Sequence, residues 1–298
     1  MKRIRLDLSY EGTSFHGWAA QPGLRTVEGT LTSALETILR RDVKLTVAGR
    51  TDAGVHAAAQ TAHVDMDDLV WEALPGRSSR TPGEALVSRV TGVLSHGHAV
   101  RGVSDIVVAS AREVSPEFDA RFSAIGRAYR YRIDDREIPD VFTRHRALRT
   151  DPLDEGLMQG GGASLLGEND FLSYCKPREG ATTIRTLRKL EVHRPGIGPD
   201  AGLLVVDLEA DAFCHSMVRS IVGTLIEVGR GRRAIEWPAE RLAEQRRDKG
   251  VILAPAHGLT LERVDYPPAD QVGAQARRAR RVRENPLTDS STRIDPVR

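Results

Sequence analysis

Ten residues constrain this chain more than any other stretch: Ala48-Gly49-Arg50-Thr51-Asp52-Ala53-Gly54-Val55-His56-Ala57. They separate two strand-like runs, Val43 to Val47 and Gln60 to Met66. Glycine tolerates positive φ and lets another backbone or a ligand approach closely. Gly49 and Gly54 therefore hold Arg50 and Asp52 on a turn that can present both outward. Taken alone, such a turn is better explained by a local ion pair.

The flanking sequence supplies the frame. Arg3 to Ser9 alternates, with Ile4, Leu6 and Leu8 against Arg3, Arg5 and Asp7, the period of a half-buried strand. Thr26 to Arg41 reads as a helix, with Thr26 as N-cap and an apolar stripe through Val27, Leu31, Ala34, Leu35 and Ile38. A short helix is expected over Asp67 to Leu74, a loop over Pro75 to Gly83, a helix over Glu84 to Leu94 and a strand from Ile106 to about Val114. After Ser115-Pro116 the outline repeats. Ile125 to Ile133 is a strand, and Asp134 to Thr150 a long charged connection. Leu153 to Leu166 has helical spacing but contains Gly160-Gly161-Gly162, so that helix is weak, broken or held by packing. Arg185 to His193 and Leu203 to Leu208 form a hairpin, Ala212 to Val228 a strong helix, and Leu259 to Tyr266 the last strand. Pro238 starts a further helix that ends near Gly250. The pattern predicts an α+β protein of two similar domains, 1–114 and 115–268, each a mainly antiparallel sheet with helices on one face. Residues 269–298 are Arg-rich and poor in apolar groups, the composition of a disordered tail.

Composition excludes several function classes. With 298 residues and 40% apolar content the chain builds a sizeable core. It has no apolar run of about 18 residues, which argues against a membrane span. The alternating charges of Met1 to Asp7 do not resemble a signal segment. Cys175 and Cys214 suggest neither a disulfide framework nor a zinc site, and a reduced cytoplasmic setting is expected. The net charge of +2 hides an uneven distribution. The tail carries +3, while the first 268 residues hold 36 basic and 37 acidic groups. Any nucleic-acid site must therefore come from local clusters, such as Arg121 to Arg149 and Lys176 to Arg194. No phosphate-binding glycine motif occurs, so no nucleotide cofactor is expected. Asp52, His56, His63 and Asp65 are close in sequence but match no compact ligand spacing, so no metal is expected. Full activity in chelator would dispose of a metal-dependent hydrolase built on Asp52, His56 and His63.

Two further segments carry candidate residues. Arg127-Ala128-Tyr129-Arg130-Tyr131 places Arg127, Tyr129 and Tyr131 on one strand face, where tyrosines ordinarily serve the core. Ala212 to Arg219 opens a helix, with Arg219 one position off its apolar stripe, suited to a surface ion pair.

The decapeptide, from Ala48 to His56, resembles the catalytic segment of the TruA family of tRNA pseudouridine synthases. The resemblance runs in order through Tyr10-Glu11-Gly12 and Gly17-Trp18, then Phe118-Asp119-Ala120-Arg121-Phe122 with Arg127 and Tyr129. It continues through Gly167 to Phe171, through Asp211, Phe213, Met217, Val218, Arg219, Ile221 and Gly223, and ends in Gly258 to Leu261. It implies a cleft between the two domains and assigns the catalytic carboxylate to Asp52. It places Tyr129 against the target uridine, with Arg219 and Arg50 as charge partners and Arg127 in the basic position beside Tyr129. It further implies isomerisation at tRNA positions 38, 39 and 40, no cofactor, and a homodimer whose subunits share one tRNA. Such a reaction asks for a lone carboxylate, shelter from water, an extruded base and an aromatic face to hold it. A non-catalytic RNA-binding module on the same fold is the competing reading. The sequence departs from the family at Ala19 and Ala20, where polar residues are common, so fewer RNA contacts are expected from that loop. It departs again between Glu84 and Asp105, where the usual Asn-x-x-Leu-Pro is replaced.

Overall fold

The computed structural model describes all residues except 97, 99, 101, 177–181, 248–249 and 281–298. The first half contains β1 (Lys2–Tyr10), α1 (Val27–Leu39), β2 (Leu45–Val47), β3 (His56–Met66), α2 (Asp68–Ala73), α3 (Pro82–Leu94) and β4 (Ile106–Val114). The second contains β5 (Gly126–Asp134), β6 (Leu148–Arg149), α4 (Glu155–Ala163), β7 (Gly167–Asp170), β8 (Ile184–His193), β9 (Leu204–Ala210), α5 (Met217–Gly229), α6 (Trp237–Ala243) and β10 (Leu259–Asp265). A last helix, α7 (Val272–Arg280), follows.

The alternation in β1 works as expected. Ile4, Leu6, Leu8 and Tyr10 are buried, and Arg3, Arg5 and Asp7 remain partly exposed. The α1 helix starts where Thr26 accepts a side-chain hydrogen bond from the Gly29 amide at 3.2 Å. Thr81 and Glu84 form a reciprocal capping box that starts α3. The α4 helix survives its three glycines through packing. A methyl group at Gly160 would lie 2.4 Å from Ile235, and one at Gly162 would lie 2.3 Å from Leu190. The glycines admit neighbours at distances no side chain would allow.

The strands join in one continuous sheet of order β4-β1-β3-β10-β5-β9-β8-β7, with β2 on β3 and β6 on β5. Pairing is antiparallel except for β3 with β10 and β5 with β6. The two expected sheets are thus fused edge to edge. The seam is the short parallel pair Thr260 with His56 and Leu261 with Ala57. Two separate apolar cores persist. One joins β1, β3 and β4 to α1 and α3, and the other joins β5, β8 and β9 to α4 and α5. Tyr129 packs against both.

The structure adds detail to the charged connection and corrects two expectations. The charged connection 134–150 is anchored: Asp134 and Asp135 are buried, and Asp134 accepts from Arg136, the Asp140 amide and Thr143. Two arginines of the basic run from Arg121 to Arg149 are neutralised: Arg130 pairs with Asp200 and Asp207, and Arg132 with Asp200 and Glu262. The strong helix begins at Met217, not Ala212, because Ser216 has φ of 66°, outside helical space. The tail is not wholly without structure. Val272, Gly273 and Ala276 make a narrow apolar face that packs α7 near Phe118 and Ala120, too small a face to register in composition. The rest of that expectation, over 281–298, lies outside the described residues.

Candidate active site

The loop between β2 and β3 is held from behind. The Ala48 amide donates to the Thr61 carbonyl at 2.8 Å, and the Gln60 side-chain amide to the Gly49 carbonyl at 2.9 Å. Thr51 is buried, its hydroxyl 2.8 Å from the Tyr10 hydroxyl, and its carbonyl accepts from the Trp18 amide at 3.0 Å. Of the two bracketing glycines only Gly54 has positive φ, at 78°, and its amide donates to the Phe15 carbonyl. The buried threonine anchors the loop, so its neighbour Asp52 is left half-buried at the surface of a cavity.

Two basic side chains from the other half meet Asp52. The Arg219 Nη1 donates to its Oδ2 at 3.1 Å, while Arg219 Nε donates to the Ala254 carbonyl at 2.8 Å. The guanidinium therefore cannot swing away without losing a second bond. The His215 Nε2 lies 3.4 Å from Asp52 Oδ1. Both carboxylate oxygens thus face nitrogen from residues 167 and 163 positions along the chain, within one pocket of about 960 Å³. The reading of the sequence overlooked His215. It sits before α5, on the turn made by Ser216, and no spacing along the chain signals its contact with Asp52.

Tyr129 lines the adjoining cavity of about 1450 Å³, with its ring edge-on to Phe213 at 5.2 Å between centroids. Burial raises its hydroxyl pKa well above the usual tyrosine value, so the group stays protonated. Arg127 lines the same cavity but is committed to backbone. It donates to the carbonyls of Ala48, Arg121 and Asp211, each at 2.9 Å. It ties the Asp52 loop to β5 and to the segment before α5. Arg50 is exposed on the cavity wall and has no ion-pair partner among the described residues.

The histidines near the loop are otherwise engaged. His56 Nδ1 accepts from the Gly12 amide at 2.9 Å, so its Nε2 carries the proton and donates to the His257 carbonyl at 3.0 Å. His63 Nδ1 accepts from the Ala120 amide at 3.0 Å. Burial lowers the pKa of both, that of His63 to about 4 with help from Arg3. Neither is gathered with Asp52 as a ligand set. Among the described residues, Glu191, His193 and Asp207 lie within ligating distance of one another. Asp207 there is held by Arg130 on both oxygens.

The two cysteines depart from expectation. Cys175 and Cys214 form a disulfide with Cα atoms 5.7 Å apart, a normal span for such a bond. They are 39 residues apart, and only the non-helical turn before α5 brings Cys214 to the segment after β7. The bond flanks the site directly: the Lys176 amide donates to the His215 carbonyl at 2.9 Å.

Sequence comparison places this chain among known proteins. The family model described as tRNA pseudouridine synthase matches residues 163–267. tRNA pseudouridine synthase A of Frankia casuarinae is 48% identical over 95% of this chain and 96% of its own length. The protein of that name from Streptomyces griseus is 47% identical over 95% of each chain. That of Corynebacterium glutamicum is 43% identical over 98% of this chain and 99% of its own. With relatives this close over nearly their full length, the chain belongs to the tRNA pseudouridine synthase A family.

Proposed function

We propose that this protein isomerises uridine to pseudouridine in tRNA, at positions 38, 39 and 40 of the anticodon stem-loop, with Asp52 as the catalytic carboxylate. The observation that carries the reading is the clamp on Asp52 by Arg219 and His215, in a cavity lined by Tyr129 and by more basic than acidic groups. The reaction breaks the bond from ribose C1′ to uracil N1 and forms one from C1′ to C5. N1 gains a proton and C5 loses one, so atoms and electrons balance with no energy source, redox partner or cofactor.

Each residue has a part consistent with its place. Asp52 acts on the extruded nucleoside, and Arg219 fixes the direction of its carboxylate. Tyr129 offers an aromatic wall for the base and a protonated hydroxyl. Arg50, exposed at the rim, fills the space left in the stem or holds a phosphate. Arg127 acts on substrate through the carbonyls it ties together. A homodimer in the cytoplasm, each tRNA touching both subunits, completes the proposal.

The test is release of tritium from C5-labelled uridine in a tRNA transcript. The wild-type protein releases it, and Asp52→Ala does not. Tritium release by Asp52→Ala at the wild-type rate would refute the assignment.

A further inference from the structure

The cavity that contains Asp52 extends outward to α7, whose Gln275, Arg278 and Arg280 line it. Its volume of about 1450 Å³ exceeds the roughly 300–1,000 Å³ of pockets that enclose whole small molecules. Its lining carries nine lysines and arginines against three acidic residues, so the outer part suits a polyanion longer than one nucleotide.

The α7 helix is a fixed part of that wall. Val272 and Ala276 are buried. The Ser123 hydroxyl donates to the Val272 carbonyl at 2.9 Å, and the Tyr266 hydroxyl to the Ala120 carbonyl at 2.6 Å. The segment it rests on leads straight into β5, which carries Arg127 and Tyr129. The outer side of α7 presents Arg277, Arg278 and Arg280, all exposed. Arg277 and Arg280 are balanced by Glu117 and Asp119. Arg278 donates to the neutral side chain of Gln275, and it has no ion-pair partner among the described residues. Arg280 and Arg121 lie 5.0 Å from the Phe122 ring centroid, so the aromatic ring holds two guanidinium groups at the cavity edge.

We propose that α7 is a second nucleic-acid-binding element, with Arg278 holding the phosphodiester backbone of the substrate RNA beyond the target nucleotide. The inference rests on the reading of this protein as a tRNA enzyme. Arginine suits the role because its planar fork matches phosphate oxygens.

Fluorescently labelled tRNA, titrated with full-length protein over a range of salt, tests it. Each phosphate contact contributes about 0.7–0.9 to the slope of log affinity against log salt. Arg278→Ala lowers the slope by about that amount, which between 50 and 200 mM salt is about a 3-fold smaller loss of affinity. Arg278→Lys restores most of the slope. An Arg278→Ala protein with wild-type affinity and slope overturns the proposal. Tritium release by the wild-type protein is measured alongside. Its absence would defeat the proposed function while the slope still reports on α7.

Discussion

Gly223 lies within α5, one turn after Arg219, and its replacement by alanine sets two effects of known size against each other. In an exposed helix the change is favourable by about 1 kcal/mol. Here a methyl group would sit 2.3 Å from the Ile252 carbonyl oxygen and 3.1 Å from the Ala254 amide nitrogen. The obstacle is backbone, so segment 252–254 must retreat by about 1 Å to reach ordinary contact, at a typical overpacking cost of about 1–3 kcal/mol. The steric cost wins or cancels the gain. The functional effect is larger, because the segment that moves is the one that positions Arg219. Ala254 donates to the Arg219 carbonyl at 3.0 Å and accepts from its Nε at 2.8 Å. A displacement near 1 Å in a catalytic constellation costs about 10²-fold in rate. The expected Gly223→Ala protein is therefore no more stable than wild type by urea unfolding and about 100-fold slower in tritium release. A variant that gains about 1 kcal/mol and keeps full activity would refute the claim that segment 252–254 positions Arg219.

Other outcomes follow from single contacts. Arg219→Met removes a charge-assisted hydrogen bond worth about 1.5–3 kcal/mol, so kcat/KM falls about 10- to 150-fold; an unchanged value would dismiss the clamp as ornamental. Reducing Cys175–Cys214 reopens a loop of 39 residues, a loss of about 4 kcal/mol in the chain-entropy account. Reductant should therefore lower the unfolding midpoint of wild type and leave the Cys175→Ser, Cys214→Ser double variant unaffected. Two titratable thiols in the unreduced, unfolded chain would remove that expectation. His63, whose pKa burial lowers from 6.5 to about 4, is neutral in the fold but takes up a proton when unfolded. Its contribution is complete above pH 6.5 and is lost as the pH falls toward 4, about 3 kcal/mol in all. His63→Asn keeps an acceptor for the Ala120 amide and should flatten stability over that window; an unaltered slope would contradict the assignment.

The legible parts of the chain were those governed by local physics. The period of two in Arg3 to Ser9 and the cap at Thr26 reported β1 and α1 nearly to the residue. The motifs around Asp52, Tyr129 and Arg219 converge on one cavity, although no spacing along the chain says that residues 52 and 219 touch. What stayed hidden depends on long-range contact. The helix expected from Ala212 is preceded by an αL residue at Ser216, and the turn this creates is what delivers His215 to Asp52 and Cys214 to Cys175. Arg127 reads from the sequence as a basic position beside Tyr129, yet its guanidinium donates to three carbonyls from three segments. The arginines of α7 masked the few small residues that pack it.

The shape of the sheet explains why Asp52 and its partners come from opposite halves. The Asp52 loop ends in His56, the first residue of β3, and the first paired residues of the seam are His56 and Thr260. The His56 ring also spans from the Gly12 amide to the His257 carbonyl, joining the end of β1 to the start of β10. Thus the strand that completes the second half is also the one that fixes the far end of the loop of the first. The segment just before it, through Ala254, holds Arg219. One stretch, residues 254–261, therefore sets both sides of the Asp52–Arg219 contact. Asp52 and Arg219 are then brought into contact only when both halves have folded and the last strand is in register. The site therefore depends on both halves at once, and perturbations along 254–261 should reach activity before they reach the stability of either core.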